Sequence, residues 1–148
     1  MKRADYKLLG EILVEEGFIK KEDLEIALKR KKREKKMLGE ILLEMGSLKE
    51  EELVQVLSLQ FGSSYLPLDN YEIDFQIVKR FPQDIIEKYK IIPIDIIGNI
   101  LTIVTFDPSN LELEELENVL GFDIQVFICT KSEFERALKK IKQNVSSG

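Results

Sequence analysis

The chain has no histidine and no tryptophan, and its 148 residues include a single cysteine and only four prolines. Without histidine, both the commonest general base and the commonest metal ligand are missing. A lone Cys129 excludes an intrachain disulfide and any thiolate-rich zinc centre. No apolar run approaches the roughly 20 residues needed for a membrane-crossing helix. The opening MKRADYKLLGEILVEEG is acidic within its apolar stretch, unlike a signal peptide. What remains, 44% hydrophobic and 33% charged residues, suits a folded core rather than a disordered chain. These features predict a cytoplasmic protein with no catalytic residues, no metal site and no cofactor.

Charge is unevenly spread. Residues 1–62 carry 13 basic and 13 acidic side chains, whereas residues 63–148 carry 9 and 14, so the second part holds the whole net charge of −5. The neutral part nevertheless contains the densest basic cluster, in which Lys29 to Lys36 comprise seven cations and Glu34. Cations there complement the negative end of a helix or solvate a linker. They also suit phosphate or an acidic lipid surface. No aromatic residue is interleaved with them, so base stacking lacks a platform and no nucleic-acid partner is expected.

The strongest pattern is a repeat at an offset of 29. Leu9-Gly10-Glu11-Ile12-Leu13 recurs as Leu38-Gly39-Glu40-Ile41-Leu42, and 11 of 23 positions are identical between residues 9–31 and 38–60. Leu8, Leu9, Ile12 and Leu13 keep the spacing of one apolar helix face. Gly17 and Gly46 fall just beyond such helices, where a left-handed cap is cheapest for glycine. Lys20 and Lys49 stand at the next N-caps, and Glu22, Asp23, Glu50 and Glu51 follow in the first turns. The pattern predicts four helices in two related hairpins.

From residue 66 the periodicity changes. Short helices are expected over 74–80 and 82–89, β-branched strands over 90–97 and 99–106 around a Gly98-Asn99 turn, and a helix through 111–120 after Asp107-Pro108-Ser109-Asn110. A third strand over 124–130 and a helix over 131–141 close the order. The predicted fold class is α+β: a duplicated helical-hairpin subdomain (1–62), a connector (63–73), and a small three-stranded α/β subdomain (74–148). A mostly antiparallel sheet with helices on one face is expected. Asp95, Asp107, Glu112, Glu114 and Glu115 are read as solubility and helix-end charges. Cys129 is read as a small buried strand residue.

The doubled Leu-Gly-x-x-Leu…Gly-x-Ile pattern, with Phe81-Pro82…Glu87-Lys88-Tyr89-Lys90-x-x-Pro93 and Phe106-Asp107-Pro108, resembles the N-terminal domain of type II secretion and type IV pilus assembly ATPases. The resemblance covers residues 6–142. It is related to the cyclic-di-GMP-binding domain of the MSHA pilus ATPase. In part of this family the two helical motifs bind cyclic di-GMP, which implies as ligand-binding residues Leu9, Gly10, Leu13, Gly17 and Lys31 from the first motif. From the second it implies Leu38, Gly39, Leu42, Gly46 and Gln60. Leu8 and Met37 stand where the family has arginine, and Lys31 replaces a glutamine; Lys7 and Lys31 are the nearest cations for phosphates. The Gly-x4-Gly-Lys-Ser/Thr loop of the catalytic part of the family does not occur. The resemblance therefore implies a non-catalytic docking or regulatory domain. Its expected partners are an inner-membrane platform protein and an ATPase domain in the same or a separate chain. Any attachment at the inner membrane would run through that partner.

Overall fold

Each copy of the repeat folds as helix, left-handed glycine turn and helix, with matching hydrogen bonds in the two turns. In the computed structural model, which describes residues 2–147 and the side chains of 8–144 other than that of residue 110, four helices occupy the first part. They are α1 (Lys2–Glu15), α2 (Lys21–Arg33), α3 (Leu38–Glu44) and α4 (Glu50–Phe61). Gly17 and Gly46 adopt φ of 78° and 73°, a region that costs other residues about 1 kcal/mol or more. Phe18 N–H donates to the Leu13 carbonyl at 2.9 Å, and Ser47 N–H to that of Leu42 at 3.1 Å. Lys20 and Lys49 are the N-caps of α2 and α4 and offer no side-chain cap. In α4 the third helical residue compensates: Lys49 N–H donates to the Glu52 carboxylate at 2.9 Å, which is one arm of a capping box. Met37 N–H and Glu40 repeat the device at α3, at 3.2 Å.

Leu9, Leu13, Ile41, Leu42, Leu53 and Leu57 form the core between these helices. Each such side chain contributes about 1.5–3 kcal/mol by leaving water. The two copies are alike in sequence but not in environment. Leu8 is 47% exposed while its counterpart Met37 is 5% exposed, because Met37 packs into the core of the second part with Val78, Phe106 and Phe134.

The second part contains α5 (Phe75–Val78), α6 (Gln83–Tyr89), β1 (Ile92–Ile97), β2 (Ile100–Thr105), α7 (Leu113–Leu120), β3 (Asp123–Ile128) and α8 (Lys131–Ser147). The class is α+β, as expected, but the sheet differs from the expectation in two respects. β1 pairs with β2 antiparallel, whereas β2 pairs with β3 in parallel, in the order β1-β2-β3. The α7 crossover returns the chain to the same end of the sheet, and only a parallel partner satisfies that connection.

Helices also cover both faces, not one. Leu101 and Ile103 pack with Leu116 of α7, while Ile92, Ile94 and Val104 pack with Val78 of α5 and with Phe134, Ala137 and Ile141 of α8. Alternate residues of β2 are apolar on both sides, which periodicity alone reads as one buried face. The helix expected over 74–80 shortens to α5, and the one expected after Asp107 begins with a 3-10 turn, Pro108–Asn110, before α7.

Three of the links that join the two parts lie around Ile128 and the start of α8. Ile128, at the end of β3, enters the helical core. The segment after α4 pairs with the same residue, Ile128 N–H donating to the Ser64 carbonyl and Leu66 N–H to that of Ile128. Glu50, at the start of α4, accepts from Ser132 N–H at 2.7 Å and from its hydroxyl at 2.8 Å, capping α8.

Candidate functional site

The two motifs place their ten candidate residues in four kinds of environment. Leu9, Leu13, Leu38 and Leu42 are at most 1% exposed and belong to the helical core. Gly17 and Gly46 sit in exposed turns. Gly10 and Gly39 are buried where helices approach closely: a Cβ on Gly10 would lie 2.7 Å from Leu24 Cδ1, and one on Gly39 would lie 2.9 Å from Leu53 Cδ2. Lys31 and Gln60, at equivalent places in the repeat, are half-buried, and the Lys31 ammonium donates to the Lys36 carbonyl at 3.4 Å. Lys7 lies outside the residues whose side chains are described.

Gly39 leads to Asp107, a residue expected from its sequence position to serve solubility and a helix end. Asp107 is 2% exposed, and its Oδ2 lies 3.6 Å from the place a Gly39 Cβ would take. The carboxylate belongs to the loop between β2 and α7, where Oδ1 accepts from Ser109 N–H at 2.9 Å and from its hydroxyl at 2.5 Å. Oδ2 has no hydrogen-bond partner among the described residues. Burial raises the Asp107 carboxyl above the ordinary aspartate range, against the opposing pull of the Ser109 hydrogen bonds and the Lys31 charge, and the nearby Glu40 raises it further.

A half-satisfied buried carboxylate costs stability and calls for a function. The helix-end role expected for Asp107 holds, since it caps the 3-10 turn; exposure does not. The available signal was its position between a strand of apolar residues and a proline, a buried place for a charge.

Glu40, 8% exposed, extends the same polar joint. One oxygen accepts from Met37 N–H, and the other stands 4.0 Å from the Lys90 ammonium. Lys90 is the sole non-glycine at positive φ among the described residues, at 53°. It occupies the C-cap of α6, a place where glycine is usual. Its side chain lines a cleft of about 210 Å³ with Ile86, Phe106, Phe134 and Lys142.

The basic run divides in two. Arg30 makes two hydrogen bonds to Glu34 and one to Glu44, and Lys36 reaches Glu44 at 2.7 Å. These bonds raise the Arg30 and Lys36 values and hold Glu34 and Glu44 below the ordinary glutamate range. Lys29, Lys32, Arg33 and Lys35 point to solvent.

Among the described residues there is no group of three or more acidic or cysteine side chains that could hold a metal, and no helix long and apolar enough to cross a membrane. Cys129 is fully buried, and burial, chiefly, raises its thiol far above reactive values.

A duplicated helical turn closed onto a mixed three-stranded sheet is the fold of the N-terminal domains of secretion and pilus ATPases. A structure of MshE with cdg superposes with a TM-score of 0.69 at 26% identity, covering 90% of this chain and 97% of that one. The N-terminal domain of XpsE shares the fold at a TM-score of 0.66 and 14% identity, over 88% of this chain and 91% of that one. The chain belongs to the MshEN domain family, whose model matches residues 61–148.

Among relatives, the type IV pilus assembly ATPase PilB of Myxococcus xanthus is 26% identical over 133 residues, 89% of this chain and 24% of the relative. PilB of Thermus thermophilus is 31% identical over 137 residues, 90% of this chain and 15% of the relative. The chain thus spans about a quarter or less of the curated relatives it matches, and the matched region is not the catalytic one.

Proposed function

We propose that this chain is the docking and regulatory domain of a type IV pilus or type II secretion ATPase, and that it binds the cytoplasmic region of an inner-membrane platform protein. The observation that carries the reading is the correspondence of nearly the whole chain to a non-catalytic part of pilus ATPases. The polar joint between the helical repeat and the α/β part supports it, because a domain that transmits a state needs an element whose packing a partner can bias. Within this reading we take residues 1–62 and 74–148 as two subdomains joined by 63–73. Calorimetric titration with the platform protein's cytoplasmic domain tests it. Binding should be saturable, and absence of heat at about 100 μM, where even a weak complex of about −5.5 kcal/mol forms, would overturn it.

A second reading, a cyclic di-GMP receptor, is favoured by one observation: the partnerless Asp107 Oδ2 beside Gly39, with the Lys31 charge nearby. A carboxylate accepts from the N–H groups of a guanine edge, and a lysine offers a point charge to phosphate. Titration with cyclic di-GMP distinguishes the two. On this reading Asp107→Ala weakens binding by about tenfold or more, as expected for loss of a charged hydrogen bond. No thermal shift at saturating ligand would remove it.

A further inference from the structure

We propose that copies of this chain associate head to tail, the outer face of α2 in one copy docking on the uncovered end of the sheet in the next. The helices α5 and α8 cover only part of their face of the sheet. Beyond them the register places Asp95, Ile97, Ile100, Thr102, Asp123 and Gln125 side by side. Thr102 and Gln125 touch through their side chains, which fixes them on one face. Ile97 is 71% exposed and Ile100 47% exposed, so the hairpin end is a flat apolar pair flanked by two carboxylates.

The outer face of α2 is its complement. Ile26, 50% exposed, is followed at helical spacing by Lys29 and Arg33, with Lys32 alongside, all three pointing to solvent and without an ion pair among the described residues. Arg30, between them, is already held by Glu34 and Glu44. An apolar anchor beside cations thus matches an apolar pair beside anions, and a contact between two such different patches is heterologous and repeats from copy to copy.

Sedimentation velocity from about 10 to about 500 μM tests the proposal. Association should rise with concentration at about 50 mM salt and weaken at about 500 mM, where exposed charges are screened. Lys29→Glu with Arg33→Glu should weaken it by about tenfold or more, and so should Asp95→Lys with Asp123→Lys. Mixing the two double variants should restore association, with the two variants alternating, because each then supplies the charge the other needs. Ile97→Ser, at an exposed position that leaves the core intact, should weaken association without altering the melting temperature. A monomer throughout the concentration range overturns the proposal. So does association insensitive to the charge reversals, and so does failure of the mixed variants to recover it.

Discussion

Asp107 is where a single residue decides most. Its carboxyl is raised on folding by burial, so the stability it contributes is present below its unfolded pKa and is lost as pH rises through the folded value. At neutral pH it is a liability. Asp107→Asn keeps an acceptor for Ser109 and removes the buried charge. It should raise the melting temperature by about 3 °C, about 1 kcal/mol, at neutral pH, and the advantage should shrink on acidification, measured by thermal melts across the range. The two motif glycines test packing in the same way. Gly39→Ala meets Leu53, which is 2% exposed, and Gly10→Ala meets Leu24, which is only half-buried and able to yield. We expect Gly39→Ala to cost about 1–3 kcal/mol in denaturant titration and Gly10→Ala less, although its contact is nominally closer.

At the scale of elements, the connection from α2 to α3 is held by charge. Glu34 and Glu44 lie below the ordinary glutamate range through Arg30 and Lys36, so their contribution is present above the unfolded glutamate pKa and fades as pH falls through the folded values. Glu44 is exposed and Glu34 half-exposed, so both are screened. Glu44→Gln should therefore shift the melt less than Gly39→Ala does, and the shift should vanish in high salt. The start of α8 behaves differently. Glu50, from α4, caps it through Ser132, and Glu50→Ala should cost about 1–2 kcal/mol by leaving those donors unmet. Periodicity read the helices of the repeat well, because a 3.6-residue stripe and a glycine stop are local. It could not see the Glu50 cap, whose partners stand 82 residues apart in sequence.

Across the whole molecule, Ile128 ties the sheet to the helical core. Ile128→Ala should cost about 2–5 kcal/mol. Wild-type unfolding should be one transition by far-ultraviolet circular dichroism and by tyrosine fluorescence alike, since the parts share a core and a cap. Two separated transitions would show that these links are too weak to couple them. The mixed sheet and its covered faces were not legible beforehand. An apolar β-branched run reads the same whether its neighbour runs parallel or antiparallel, and only the length of the α7 crossover distinguishes them.

The amino-acid order alone was enough for the repeat, its glycine turns and the family, because these depend on residue identity and short-range spacing. It also located the net charge of −5 in the second part and the basic run in the first. Tertiary structure alone decided that Asp107 is buried beside Gly39, that equivalent residues Leu8 and Met37 meet water and protein respectively, and that two isoleucines remain uncovered at the sheet's end. Burial is a property of what lies opposite a side chain, and what lies opposite each of these comes from a distant stretch of chain.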